Sequence, residues 1–156
     1  MLNVGDTPES FELPDQNGDT VSWDALRGAP VVVFAYPKAS TPGCTTEACT
    51  FRDLGSEFDA LGAKVLGISA DTVKRQSNFA AKYSLPMALL ADTERTVLEA
   101  WGIWAEKKNY GRTYMGIVRS TFLFDADGRL VQKWEKVRVK GHVDAVLEAV
   151  RDHVSG

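Results

Sequence analysis

The chain reads as an α/β protein built on a mixed sheet, and three observations lead there. First, the runs "PVVVFAYP" (30–37), "AKVLGISAD" (63–71) and "STFLFD" (120–125) are nearly continuously apolar. That is the pattern of strands buried on both faces. Second, helical patterns alternate with these runs, as parallel strand pairs require. Third, the last run turns at Asp127-Gly128 into "RLVQKW", its antiparallel neighbour. The expected result is a mixed sheet with helices on both faces.

Taken in order, "SFELPDQNGDTVSW" (10–23) predicts a small N-terminal hairpin around Asp15-Gln16-Asn17-Gly18. "SWDALRG" predicts a helical turn ending at Gly28. One helix is expected from Pro42 to Leu61, another from Thr72 to Tyr83, and a short one from Thr96 to Trp101. The last starts near His142, where Val143, Val146, Leu147, Val150 and Val154 recur at helical spacing. Lys107, Lys108 and Arg112 read as a solvated basic loop, and Trp101, Trp104, Tyr110 and Tyr114 as packing residues. His142 and His153 fall on the terminal helix with no chemical role expected. No repeat or linker interrupts the chain, so residues 1–156 are expected to form one domain.

A net charge of −3 argues against a nucleic-acid partner. No apolar run approaches the roughly 20 residues of a membrane span. "MLNVGDTPESFELP" carries acidic residues and no apolar secretory core. The expected location is the cytosol, where the thiol pool disfavours a permanent disulfide.

The 2 cysteines, Cys44 and Cys49, both lie in "TPGCTTEACT" (41–50). Thr41 suits a helix N-cap and Pro42 the first helical position. Cys44 then falls in the first turn, where free N–H groups and the helix dipole favour an anionic sulfur. It shares a face with Ala48, Phe51, Gly55 and Phe58, the side expected to meet the sheet. Cys49 lies about 140° further round, beside Arg52, Asp53 and Ser56. In an intact helix the two Cα atoms would stand roughly 8.7 Å apart. A disulfide needs less than about 7 Å, so a static staple is not built this way. Metal binding is poorly served by C-x4-C with His142 and His153 far along the chain. Two unrelated thiols or a redox pair that opens the helix both stay open.

Thiolate population alone does little to speed a sulfur nucleophile. Lowering a thiol pKa from about 8.5 to about 6 raises its neutral-pH thiolate fraction roughly 30-fold. With a Brønsted slope of about 0.4–0.5, nucleophilicity falls roughly 10- to 18-fold. The net gain of about two- to three-fold calls for donors aimed at the departing oxygen, so a hydroxyl and a fixed cation are sought near Cys44.

"YPKASTPGCTTEAC" carries the pattern Pro-x-x-x-Thr-x-x-Cys as Pro37, Thr41 and Cys44. With this pattern the chain resembles the peroxiredoxins, and a second cysteine five residues on resembles their bacterioferritin-comigratory-protein, or PrxQ, branch. The likeness continues in "EKKNYGRTYMGIVRSTFLFDADG" and "RVKGHVDAVLEA". It implies a thioredoxin-like fold and a thiol peroxidase acting on hydrogen peroxide or organic hydroperoxides. It further implies Cys44 as the peroxidatic cysteine and Cys49 as the resolving one, joined in a Cys44–Cys49 disulfide that thioredoxin or a similar dithiol reduces. Thr41 would orient the peroxide, Arg119 would stabilise the reacting charges, and Pro37 would shield the sulfur from water. Plainer roles exist for three of these: Thr41 as a cap, Pro37 as a strand end, Arg119 as a surface residue. The resemblance implies a monomer and calls for no cofactor or metal. Two other classes compete, a thiol–disulfide oxidoreductase, which would usually carry C-x-x-C, and a non-catalytic redox sensor.

Overall fold

A five-stranded mixed sheet runs through the protein, described over residues 1–156 by a computed structural model. The strands are β1 (Glu12–Pro14), β2 (Thr20–Ser22), β3 (Val31–Ala35), β4 (Lys64–Ser69), β5 (Ala88–Ala91), β6 (Trp104–Asn109), β7 (Arg112–Ile117), β8 (Ser120–Phe124) and β9 (Leu130–Trp134). The helices are α1 (Pro42–Asp53), α2 (Gly55–Ala60), α3 (Val73–Tyr83), α4 (Thr96–Ala100) and α5 (His142–Ser155). A single 3-10 turn covers Asp24–Leu26.

The sheet order is β5-β4-β3-β8-β9. β3 pairs parallel with β4 and antiparallel with β8, so it is covered on both edges as well as both faces. All five of its residues are buried. Its side chains alternate between two cores, as the period of a strand requires. Val32 and Phe34 join Cys44, Ala48, Phe51, Phe58, Phe79 and Val146 under α1, α2, α3 and α5. Val31, Val33 and Ala35 face Trp23, Leu98, Trp101, Phe122 and Phe124 on the side of α4. The expected mixed sheet, helices on both faces, N-terminal β1–β2 hairpin and late β8–β9 hairpin are all present. No helix is long and apolar enough to cross a membrane.

Three expectations are corrected. The single helix expected over 42–61 breaks at Leu54, whose φ of −94° and ψ of 7° leave the helical range. Gly55 follows, a poor helix former, and α2 starts afresh from it. Phe51 and Phe58 still face one core, which is why their spacing looked like one continuous helix. The expected basic loop is instead the β6–β7 hairpin, with Lys107 opposite Tyr114 and Lys108 opposite Thr113. Its turn residues, Tyr110 at φ 50° and Gly111 at φ 76°, have the left-handed pair that a two-residue hairpin needs. Tyr110 is 98% exposed and Tyr114 and Met115 also face solvent, so of the four aromatics read as packing the two tyrosines do not pack, while Trp101 lies in the core and Trp104 packs against it. Trp104 is half-buried beneath the Arg95 guanidinium, 4.9 Å from its ring centre. The short run Ala88–Ala91 forms β5, a strand too brief for its sequence pattern to announce. Its outer edge is covered by Gln16, whose side-chain amide donates to Met87 O (2.9 Å) and accepts from Leu89 N (2.8 Å). One side chain thus satisfies an open strand edge.

Gly67, in the middle of β4, has no room for a side chain. A Cβ there would lie 2.9 Å from Leu89 Cδ2 and 3.0 Å from both Phe34 Cζ and Tyr36 Cε1. All three neighbours are fully buried and cannot retreat. Gly67→Ala is therefore expected to cost about 1–3 kcal/mol of stability, read as a lower urea midpoint; an unchanged midpoint would contradict this packing.

Candidate active site

The chain leaves β3 through Tyr36 and Pro37 and enters α1 after four more residues. Pro37 is half-buried and cannot extend the ladder, having no N–H to donate. Ser40 takes a left-handed φ of 64°, which costs a non-glycine residue about 1–2 kcal/mol. Thr41 then stands in extended backbone at the N-cap and Pro42 opens the helix, as expected. The Thr41 hydroxyl does not cap it. Its Oγ1 donates to Lys38 O (2.7 Å), which leaves the oxygen's lone pairs free to accept from another donor.

Cys44 sits in the first turn with 1% exposure, on the face shared with Ala48 and Phe51. The nearest charged group is Arg119, from the short link between β7 and β8. Its Nη2 donates to Cys44 Sγ at 3.2 Å and its Nη1 to Glu47 Oε1 at 2.8 Å. Arg119 is thus an inward-facing residue, not a surface one. Its own carbonyl accepts from Val137 N, so both backbone and guanidinium are held. Gly43 permits the approach, since a Cβ there would stand 3.3 Å from Arg119 Nη2. Burial alone would lower the Arg119 pKa. The charges of Glu47 and Cys44, with hydrogen bonds to both, outweigh it and hold the value above normal.

Glu47 and His142 were not singled out from the sequence as site residues. Glu47 lies three residues after Cys44, close enough on a helix to serve the same partner. The spacing is a signal, but a helical glutamate is ordinarily solvated. Here it has no exposure, and its Oε2 has no hydrogen-bond partner. Burial raises its pKa to about 7 against the opposing pull of Arg119. His142, expected to be idle, is buried at the start of α5. Its Nε2 is 2.7 Å from Thr121 Oγ1 and 4.0 Å from Glu47 Oε2. Burial, and then the Arg119 charge, push its pKa down to about 4, so the ring is neutral near pH 7.

Cys49 is free, like Cys44. It is half-buried and packs against the first core, less exposed than the polar face predicted for it. Both cysteines belong to the unbroken α1 helix. No three His, Cys, Asp or Glu side chains gather as a metal-holding cluster. The arrangement brings a buried thiol, a fixed guanidinium and a helix N-terminus together, with Thr41 and Pro37 on the approach loop.

Comparison with known proteins agrees with this chemistry. The AhpC/TSA family model matches residues 4–133. Peroxiredoxin Bcp of Bacillus subtilis is 44% identical over 97% of this chain and 96% of its own. Peroxiredoxin Bcp of Escherichia coli K12 is 43% identical, covering 97% of both chains. A structure of the bacterioferritin comigratory protein of Xanthomonas campestris, studied for alkyl peroxide reduction, superposes with a TM-score of 0.89. It is 43% identical and the match covers 92% of each chain. A mutant of Xylella fastidiosa PrxQ superposes with a TM-score of 0.94, at 32% identity and 98% coverage of each chain. The fold is thioredoxin-like, and the chain belongs to the AhpC/TSA family, among its Bcp/PrxQ peroxiredoxins.

Proposed function

We infer that this protein is a thiol peroxidase whose nucleophile is Cys44. The observation that carries the reading is the Arg119 guanidinium, clamped by Glu47 and donating to a buried sulfur in the first turn of a helix. The Cys44 thiolate attacks one peroxide oxygen, forming S–O while the O–O bond breaks. The sulfur becomes a sulfenic acid, and the departing oxygen takes a proton to leave as water or an alcohol. Arg119 and the free N–H groups of the first turn face the charge that spreads from sulfur to that oxygen. The Thr41 oxygen has its own proton committed to Lys38, and in this reading its lone pairs accept from the peroxide O–H. Pro37 borders the loop and limits water. Organic hydroperoxides are included as substrates, by likeness to the alkyl peroxide reduction studied in the Xanthomonas relative.

Cys49 then attacks the sulfenic sulfur. An S–S bond forms, and hydroxide leaves as water with the Cys49 proton. The helix must open for this, because an i, i+5 pair in α1 is roughly 8.7 Å apart at Cα. Its first turns are suited to opening. Pro42, Gly43, Cys44, Thr45 and Thr46 are all middling or poor helix formers. Thr46 and Thr50 also bond back to the carbonyls of Pro42 (3.0 Å) and Thr46 (2.7 Å), a habit that loosens and bends helices. Ala48 and Phe51, by contrast, anchor the later turns in the core. A dithiol protein of the thioredoxin kind reduces the disulfide. The reading has the cycle run within one single-domain chain, in a cytosolic monomer.

Peroxide consumption by Cys44→Ser is expected to fall to the uncatalysed rate, because sulfur carries the attack; retained activity would remove the assigned nucleophile. Cys49→Ser should consume one equivalent of peroxide and then stop, with thioredoxin and its reductase unable to sustain turnover. Undiminished turnover would mean resolution by another thiol.

Glu47 gives a test of the clamp itself. Its folded pKa, about 7, lies above the ordinary 4.5, so the folded state holds its proton more tightly. The stability this contributes is present below pH about 4.5 and lost as pH rises through about 7. His142, depressed to about 4, acts in the opposite sense between about 4 and 6.5. Comparing the protein with Glu47→Gln by urea unfolding separates the two. The difference should move in the variant's favour by up to about 3 kcal/mol from pH 5 to 8; a pH-independent difference would contradict it.

A further inference from the structure

The loop between β3 and α1 carries Pro37 and Thr41, yet it has almost no ties of its own. Within the loop, Thr41 Oγ1 bonds Lys38 O (2.7 Å). The Thr41 carbonyl accepts from Thr45 N of the adjoining α1 (2.8 Å), and one hydrogen bond joins residues 37–41 to the rest of the fold. The Ala39 N–H donates to Asp71 Oδ2 at 2.7 Å, in a buried setting. Ala39 and Asp71 are 9% and 7% exposed, so water does not compete for this bond. The next residue, Ser40, is the one held at a left-handed φ of 64°. A strained residue persists only where its surroundings over-determine it, and Asp71 is the neighbour in a position to do so.

Asp71 is itself fixed from behind. Its Oδ2 also accepts from Ser69 Oγ (2.7 Å). Ser69 Oγ in turn accepts from Asp71 N (3.2 Å) and Gln76 Nε2 (2.9 Å). Gln76 Nε2 donates further to Leu90 O (3.0 Å), and its Oε1 accepts from the Tyr36 hydroxyl. Burial drives the Tyr36 pKa well above normal, so the phenol remains a donor. Tyr36, Ser69 and Gln76 have no exposure. The network therefore grips the loop twice, at Tyr36 where it begins and at Ala39 in its middle, and ties both grips to β4, α3 and β5. Arg75 Nη1 is 3.8 Å from Asp71 Oδ1, but its side chain is 60% exposed and adds little.

We propose that Asp71 is a positioning residue for peroxide reduction: through the Ala39 N–H it sets where Pro37 and Thr41 stand relative to the Cys44 sulfur, without touching substrate. The proposal rests on the assignment of Cys44, Thr41 and Pro37 made above. A misplacement of about 1 Å in such a loop can cost on the order of 100-fold in rate, because the peroxide must be aligned for in-line attack. Alkylation of the same sulfur needs no hydroxyl partner and no alignment by the loop. Peroxide reduction and alkylation should therefore separate when Asp71 is changed.

The test compares two second-order rate constants on the reduced protein, one for hydrogen peroxide and one for iodoacetamide at Cys44. Asp71→Ala, which removes the acceptor, should lower the peroxide constant about tenfold or more. Asp71→Asn keeps an acceptor oxygen without the charge and should lose only about threefold. Alkylation should stay within about twofold of the unaltered protein in both. A peroxide constant equal to that of the unaltered protein in either folded variant would overturn the proposal. So would peroxide and alkylation constants falling in proportion, since that reports general damage. Should Asp71→Ala fail to fold, Asp71→Asn decides alone by the same criteria. A Cys44→Ser control that still consumed peroxide would instead remove the underlying assignment, an outcome separate from any result at Asp71.

Discussion

One guanidinium organises the chemistry of this protein. Arg119 is bonded to Glu47 at 2.8 Å and to Cys44 Sγ at 3.2 Å, and the rest of the site is arranged around keeping it there. A buried arginine is costly unless paired, and truncating one partner of such a pair leaves an uncompensated charge. Glu47 supplies the pairing from the same helix that carries the sulfur, so one guanidinium is held against both side chains of that helix. His142, neutral and bonded to Thr121, closes the far side without adding a competing positive charge. The result is a fixed donor pointed at the Cys44 sulfur, and on the proposed reading that is where charge changes during O–O cleavage and where fixed dipoles act most strongly.

The same helix has two demands that conflict. It must present Cys44 to the guanidinium at its N-terminus, and it must open if Cys49 is to reach that sulfur. Weak helix formers at residues 42–46 and back-bonded threonines meet the second demand, while Ala48, Phe51 and the core beneath them meet the first. The break at Leu54 confines any unwinding to a helix of 12 residues, separate from α2. Glu47 lies between the two cysteines, so the opening that the proposed cycle requires would also withdraw the carboxylate from Arg119. On the proposed cycle, resolution would therefore dismantle the attacking site and reduction of the disulfide would rebuild it.

Much of this was legible in the sequence wherever the signal was local. The buried runs gave β3, β4 and β8; Thr41-Pro42 marked the start of α1; and Val143, Val146 and Leu147 marked α5. What was not legible depended on contacts between distant segments. A glutamate three residues from a cysteine looks solvated until Arg119 arrives from 72 residues away. Asp71 reads as the end of a strand run until Ala39 is brought to its carboxylate. The β6–β7 hairpin escaped because Tyr110 fills a position where Asn or Gly would have announced the turn. Its strands are largely exposed and show no clean alternation. The α1–α2 break escaped for the opposite reason, since Phe51 and Phe58 keep one apolar face running across it.

The central claim is that Cys44 and Cys49 form one redox couple through an opening of α1. The most direct measurement is intact-mass analysis of the fully reduced protein after one equivalent of hydrogen peroxide, followed by peptide mapping. The account predicts a loss of two hydrogens within seconds, mapped to a bridge between Cys44 and Cys49 in a single chain. Unreacted dithiol after several minutes, or a bridge between two chains instead, would contradict it.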